Sequence, residues 1–254
     1  MKVSTWLGIF DAHHPYCDRR AYDLALNVAL QGKYNLKGIL LGGDFGDHYG
    51  ISRYKKDPTN IFSWKEECFA ISEELKALKK IQTDIEIVYI GGNHEHRLYN
   101  FLIDNAPQML DGTTYEEIFH LKELGIQYIT YGPEQEFWVP DTNVMVRHEP
   151  LAGGKFPSLA SISEANASVI FGHHHRRQFA AKNIIKDKTI REGHSVGWLG
   201  DREKYPQVFG YLKTANQWQH GFCLIHVFPD GSHFIDNILI KNYKVIHGNQ
   251  YYEG

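Results

Sequence analysis

Gly91-Gly92-Asn93-His94-Glu95 closes the apolar run Ile85 to Ile90, and this junction decides how the chain is read. A short apolar run ended by paired glycines describes a buried strand that turns sharply. Gly-Asn alone explains a turn. The imidazole of His94 and the carboxylate of Glu95 exceed what a turn requires.

The same arrangement recurs on both sides. Towards the N-terminus, the strand-like run Val3 to Phe10 ends at Asp11-Ala12-His13. Leu36 to Leu41 ends at Gly42-Gly43-Asp44-Phe45-Gly46-Asp47. Towards the C-terminus, Asn143 to Arg147 leads into His148, and Val169 to Phe171 leads into Gly172-His173-His174-His175. Open α/β sheets place ligands at the carboxyl ends of their strands, so the clusters are expected to converge.

The intervening segments read as helices and further strands. Asp18 is a candidate N-cap for a helix from Arg19 to Gln31. Other helices are expected at Phe62 to Ile81, Asn93 to Asp104, Tyr115 to Leu124 and Leu159 to Ala165, with a long polar loop at Phe45 to Asn60. Strands are expected at Ile126 to Thr130 and Glu136 to Val139. The last third alternates in a β manner through Phe222 to Phe228, His233 to Ile240 and Tyr243 to Ile246, with Asp230-Gly231 as a hairpin signal. Strand–helix units followed by a β-rich half favour α/β architecture with two packed sheets and helices outside. With no linker-like stretch, 254 residues are read as a single domain, 1–254.

Composition narrows the function classes. A formal net charge of -3 argues against a whole-surface basic footprint, while leaving room for a local basic stripe. The apolar runs are strand-sized, so no membrane span is expected. The N-terminus lacks a signal-length apolar region. Three widely spaced cysteines form no CxxC pair, which suits a reducing compartment without disulfides or zinc–cysteine sites. The expected localisation is cytoplasmic. The 15 histidines stand out, because imidazole is both a metal ligand and a general acid.

Pooled, the clusters supply carboxylates, an amide oxygen and imidazoles, with no thiolate. That mixture suits borderline divalent ions such as Mn²⁺, Fe²⁺, Ni²⁺ or Zn²⁺. On an extended strand end, Asp11-x-His13 and His173-x-His175 each present two ligands on one side, while His14 and His174 point away. Gly43, Gly92 and Gly172 permit sharp turns and close backbone approach. Each piece has an ordinary explanation by itself: a surface Asp-His pair, a turn, a buried hydrogen-bonded His148. Their joint occurrence at successive strand ends does not.

In these blocks the chain resembles the calcineurin-like metallophosphoesterase superfamily, whose pattern is D-x-H, G-D-x-x-D, G-N-H-[DE], H, then G-H-x-H. All five blocks are present, from Asp11 to His175. His174 stands where that family usually has a small or hydroxyl residue, and no Gly precedes His148. The resemblance implies a four-layer α/β/β/α sandwich with two mixed sheets and a site for two divalent metal ions, Mn²⁺ foremost. Asp11, His13 and His175 then match the ligands of one metal. Asn93, His148 and His173 match those of the other, and Asp44 matches the bridging carboxylate. His94 matches the non-ligand catalytic histidine, and Asp47 the carboxylate that orients it and holds it as imidazolium. A hydroxide between the metals would attack phosphorus in line, and His94 would protonate the leaving oxygen.

Substrate signals are thinner. Gly92-Asn93-His94-Glu95-x-Arg97 resembles uncharacterised phosphoesterases of bacteriophage and bacterial genomes, so a phage-encoded protein would act in host cytoplasm. Arg97 is a candidate phosphate ligand, with a structural pairing to a carboxylate as the equal alternative. Arg53, Lys55 and Lys56 interleave with Tyr49 and Tyr54, and Arg176 and Arg177 follow the last block. Cations and aromatics beside a phosphodiester site suit single-stranded nucleic acid, although a solvated loop is the commoner meaning of such a run. Gly193 to Trp218 is a candidate wall over the site. The leading expectation is a phosphodiesterase, with nucleic acid among its candidate substrates. The alternatives are a phosphomonoesterase for a nucleotide or phosphoprotein, and a non-catalytic binding or scaffold protein of the same fold. His48 occupies the place where serine/threonine phosphatases carry Arg, which ranks phosphoprotein low. Intact ligand positions and His94 rank the scaffold low.

Overall fold

Alternation along the first strand sets the layering. Trp6 and Phe10 face one apolar core, while Leu7 and Ile9 face another. The computed structural model describes residues 2–57, 59, 62–81, 84–186, 188–205 and 215–254. In chain order its elements are β1 (Ser4–Ile9), α1 (Arg19–Gln31), β2 (Asn35–Leu41), α2 (Trp64–Ile81), β3 (Glu86–Ile90), α3 (His96–Asn105), α4 (Tyr115–Ile118), β4 (Ile126–Ile129) and β5 (Phe137–Trp138). They continue with β6 (Val144–Arg147), α5 (Pro157–Ala165), β7 (Ser168–Phe171), β8 (Gln178–Ile184), β9 (Thr189–Ser195), β10 (Gly221–Val227), β11 (His233–Leu239), β12 (Lys244–His247) and β13 (Gln250–Glu253).

Two mixed sheets result. The six-stranded sheet has the order β11-β10-β1-β2-β3-β4, with β1 to β4 parallel and β10 and β11 antiparallel at one end. The five-stranded sheet has the order β5-β6-β7-β9-β8, with β6, β7 and β9 parallel. Trp6, Phe10, Leu40, Val88 and Ile225 of the first sheet share one core with Val144, Val146, Ile170 and Val196 of the second and its margins. On the other face of the six-stranded sheet, Leu7, Ile39 and Ile87 pack with Leu24 and Val28 of α1, Ile71 and Leu75 of α2, and Leu98 of α3. Helix α5 lies on β7 to β9, close enough that a Cβ on Gly193 would meet the Ser158 carbonyl oxygen at 2.2 Å.

Helix α1 has the expected bounds, and Asp18 accepts the Ala21 backbone N–H as its N-cap. The expected helix Tyr115 to Leu124 is one turn only, Tyr115–Ile118; His120 adopts a left-handed backbone (φ 49°), which ends helical propagation. Three strands escaped the sequence pattern: β8, β9 and β13. The first is largely exposed at a sheet edge, so apolar alternation is not required of it. The loop expected at Phe45 to Asn60 contains a short 3-10 turn, Tyr49–Ile51; Pro58 and Asn60 lie outside the described residues. No helix among the described residues is long and apolar enough to cross a membrane.

Candidate metal centre

Five loops leave the carboxyl ends of β1, β2, β3, β6 and β7 and bring the sequence clusters to one buried place. The local conformation is not the extended one assumed from the spacing. Asp11 (φ 51°), His13 (φ 53°), Asp44 (φ 49°), His173 (φ 64°) and His175 (φ 56°) all sit in the left-handed region, just past their strands. Such residues cost of order 1–3 kcal/mol each and persist only where the surroundings over-determine them. His14 and His174 still point elsewhere. His14 packs its ring on Tyr22 and Phe45, and His174 sits edge-on to Phe171.

Backbone bonds supply that over-determination. Asp11 and His13 donate their N–H groups to the carbonyls of Gly43 and Asp44, at 3.1 and 2.9 Å. The His173 N–H donates to Asp11 Oδ2 at 2.9 Å, tying one sheet to the other. Gly92 lies against Asp44, where a Cβ would come within 2.2 Å of Oδ1, and Gly43 has φ +92°. Glu95 completes the frame. Its buried carboxylate accepts the N–H groups of Gly92 (2.6 Å), Asp44 (2.9 Å) and Gly46 (3.0 Å) and the hydroxyl of Tyr89 (2.7 Å). Glu95 carries no expected role from the sequence beyond its place in the Gly-Asn-His-Glu block, which is the one signal for this frame.

Two groups of donor atoms converge. In the first, the ligand atoms of Asp11, His13, Asp44 and His175 lie within 4.8 Å of one another. His13 Nε2 faces His175 Nε2 at 3.0 Å, and His175 Nε2 is 3.3 Å from Asp11 Oδ1. In the second, Asp44, His148 and His173 meet on the same criterion. Asn93 Oδ1 is 3.0 Å from His148 Nε2 and 2.9 Å from His173 Nδ1, and His148 Nε2 is 3.2 Å from Asp44 Oδ2. Asp44 belongs to both groups.

The donor set is one that could hold metal ions. Asp11, Asp44 and Asp47 are carboxylates at 0–1% exposure within one cluster, a concentration of buried negative charge that calls for cations. Second partners point the ring nitrogens inward. His148 Nδ1–H donates to the Gly42 carbonyl at 3.0 Å, and His13 Nδ1–H donates to Asp47 Oδ2 at 2.9 Å, so each ring turns its Nε2 towards the cluster. Burial alone would raise the Asp44 carboxyl, yet His148 and His94 hold it well below the usual carboxylate range. Burial opposes a charge on His148, but Asp44 lifts its pKa to about 10.

Asp47 is shared more widely than expected. Its carboxylate meets His13, His94 Nδ1 at 3.2 Å and Arg97 Nη1 at 3.3 Å. Burial would raise it, but these neighbours hold it well below the ordinary value. Arg97 also donates from Nη1 to the Asp47 carbonyl at 2.7 Å and from Nη2 to His94 Nε2 at 2.8 Å. The carboxylate pairing weighed for Arg97 is therefore present, and its guanidinium still lines a cleft of about 220 Å³ with Asn93, Arg53, Tyr54 and Phe101. The imidazolium expected at His94 is not what this arrangement favours. Burial first, then the Arg97 charge, push its pKa down to about 4, so Nδ1–H faces Asp47 and Nε2 accepts from Arg97.

An aromatic wall closes the His13–His175 side. Trp198 stacks on His175 (centroids 5.1 Å, planes 11° apart), Trp218 meets it edge-on at 4.4 Å, and Tyr205 meets His13 at 5.2 Å. These belong to the expected wall Gly193 to Trp218, of which residues 206–214 lie outside the described residues. A cavity of about 550 Å³ lies beside Glu95, lined by His96, Tyr99, Tyr115 and Tyr131. Among the described residues none of the clustered donors lines it, so the smaller cleft at Asn93 and Arg97 is the better candidate entrance.

No protein-family model and no curated protein match the chain. Among solved structures it is similar to the Pseudomonas putida nuclease MPE, at 15% identity and a TM-score of 0.41, covering 98% of this chain and 86% of that one. It is also similar to the Haemophilus influenzae NAD nucleotidase NadN, at 9% identity and a TM-score of 0.41. That match covers 99% of this chain, which spans about half of the nucleotidase, 53%.

Proposed function

We propose that the chain is a metal-dependent phosphoric ester hydrolase acting on a phosphodiester, built as a single four-layer α/β/β/α domain of the metallophosphoesterase kind. The observation that carries this reading is the sharing of Asp44 between two groups of nitrogen and oxygen donors, one buried and one partly so, at the carboxyl ends of strands of both sheets. Asp11, His13 and His175 would hold one divalent cation, Asn93, His148 and His173 the other, and Asp44 would touch both. Two such cations supply charge for the phosphoryl oxygens and a nucleophile from water near neutral pH.

The chain's own residues do the rest. Asp47 fixes His13 and His94 in one orientation. His94 Nε2 lies 3.7 Å from Asp44 Oδ2, at the edge of the cluster, where a leaving oxygen can be protonated. In the resting arrangement Arg97 donates to that nitrogen. A bound phosphate would draw the guanidinium to itself, release Nε2 and favour the protonated ring. Arg53, Tyr54 and Phe101 at the cleft favour a substrate extending beyond one phosphate, which supports a diester in nucleic acid over a small monoester.

The test uses metal-stripped protein reconstituted with Mn²⁺ and offered bis-p-nitrophenyl phosphate, p-nitrophenyl phosphate and single-stranded DNA. Diester turnover that requires the metal is expected. Turnover of none, or equal turnover after thorough chelation, overturns the proposal. Preference for the monoester would move the substrate to a nucleotide.

A further inference from the structure

A second constellation of metal-ligand type lies at the other end of the six-stranded sheet. His226 on β10, Asp236 on β11 and His247 on β12 bring one ligand atom each within 4.8 Å of one another. None of them contributes to the centre at Asp44. Register explains the meeting. His226 pairs with Phe234 and Thr5, and Leu224 with Asp236, so His226 and Asp236 are diagonal neighbours on one face. That face carries Leu7, Leu224 and Ile238 in the core under α1, and the trio forms its polar rim. The β12–β13 hairpin folds back to add His247.

We propose that His226, Asp236 and His247 form a separate binding site for a divalent transition-metal cation of the Zn²⁺ class. Both imidazoles aim Nε2 at the same carboxylate oxygen, Asp236 Oδ2, at 3.2 and 3.0 Å. Ligands at about 2.0–2.2 Å from a tetrahedral zinc stand roughly 3.3 Å apart, so small shifts admit the ion. The donor set, two imidazoles and a carboxylate without thiolate, suits zinc, cobalt or nickel over soft or hard ions.

The outer partners are already in place. His226 Nδ1 meets Thr5 Oγ1 at 3.0 Å, and His247 Nδ1 meets Tyr34 Oη at 2.7 Å. A hydroxyl serves either tautomer. Without a cation, each Nε2–H donates to Asp236 and each hydroxyl donates to Nδ1. With the cation bound, each Nε2 presents its lone pair and each Nδ1–H donates to the hydroxyl oxygen. Each ring gives up its Nε2 proton to water and takes one from water at Nδ1, so the number of bound protons does not change. Orientation by such partners typically changes metal affinity by about 10–100-fold.

The fourth coordination position is open. The Asp236 side chain is 41% exposed, and Thr5, Tyr34, His226, Phe228 and Asp236 line a cleft of about 450 Å³. Water or an anion from solvent completes the shell there. Because the ligands come from β10, β11 and β12, the ion fastens the C-terminal hairpin to the sheet.

The experiment counts metal on the full chain. Chelator-stripped protein is dialysed against micromolar Zn²⁺, and zinc per chain is measured by mass spectrometry for the wild type, Asp236→Asn, His247→Ala and Asp44→Asn. Asp236→Asn and His247→Ala are expected to bind one equivalent less than wild type, with bis-p-nitrophenyl phosphate turnover unchanged. Asp44→Asn is expected to keep that equivalent. Should a variant misfold by circular dichroism, wild-type protein decides the matter: zinc must shift the imidazole ¹⁵N resonances of His226 and His247. Thr5→Val should weaken this equivalent about tenfold. Unchanged stoichiometry in well-folded Asp236→Asn and His247→Ala, or resonances that ignore zinc, overturns the proposal. The result does not depend on whether the chain hydrolyses any ester.

Discussion

The two histidine–carboxylate sites differ in how the chain reaches them. At the Asp44 end, five of the candidate ligands occupy left-handed backbone in loops, and the carboxylates are fully buried. At the Asp236 end, all three residues lie on regular strands, the carboxylate is half-exposed, and every ring nitrogen has a hydrogen-bond partner. The first arrangement is strained and charge-rich, held by Glu95 and by backbone bonds between loops. The second is at rest without an ion. Strain of the first kind, stored where groups converge on a ligand, suits a place where geometry must be imposed before chemistry. Relaxed hydrogen bonds that an ion can replace suit a fastening.

The largest expected difference between the ends is catalytic. Asp44→Asn should lower diester turnover by at least about 10³-fold, because Asp44 belongs to both groups of donor atoms; Asp236→Asn should leave it within about twofold. Comparable losses in the two variants would erase the distinction. His94→Ala sharpens the strained end from within. It should cost about 10²–10⁴-fold in turnover while keeping wild-type metal content, as measured by mass spectrometry. Loss of bound metal in that variant would recast His94 as part of the metal shell.

Glu95 separates support from chemistry. Removing its carboxylate in Glu95→Ala strands three backbone N–H groups in a buried place and leaves the Tyr89 hydroxyl with Tyr115 alone. A loss of about 3 kcal/mol or more in unfolding free energy follows from unsatisfied buried donors. Denaturant unfolding of the metal-free protein reads it directly. A loss under about 1 kcal/mol would mean that the loops are held by something else.

Which parts of this were legible in the sequence follows from where the physics is local. The strands β1 to β3 and β7 are apolar runs punctuated by glycine and Asp or His, and burial on both faces left no alternative pattern for them. The loop clusters were legible because their residue types are rare in combination. Their conformation was not: the expected extended Asp11-x-His13 spacing and the observed left-handed pair both place the ligands inward, and only the Gly43, Asp44 and Asp11 backbone contacts distinguish them. The Arg97 bond to His94 was equally invisible, because it depends on Asp47, fifty residues earlier in the chain. The trio at Asp236 drew no attention because its members alternate as ordinary polar positions of strands, and only sheet register and the C-terminal hairpin bring them together.

Acid titration gives the smallest effects and distinguishes the two ends by pH window. Near the Asp44 centre, burial pushes His14 and His48 down from 6.5 to about 3. Between those values the unfolded chain binds protons that the folded one refuses, so their contribution is complete above pH 6.5 and shrinks as pH falls towards 3. At the other end the carboxyl of Asp236 is lowered from 3.8 to about 2, by the hydrogen bond from His226 first, against burial, with His247 adding to it. Its contribution is complete above about pH 4 and is lost only as pH falls towards 2. Half-exposure and screening reduce it to about 1 kcal/mol. Stability measured by urea unfolding of the metal-free protein at pH 7, 4.5 and 2.5 therefore separates them, the first interval reading the buried rings and the second the carboxyl. The penalty of Asp236→Asn should shrink as pH falls from about 4 towards 2, the window in which its carboxyl titrates. In His14→Phe the wild-type decline over the first interval should be visibly shallower, since one of the two buried rings no longer titrates. A penalty for Asp236→Asn that stays undiminished at pH 2.5 would show that hydrogen bonds from His226 and His247 do not hold this carboxyl below the usual range.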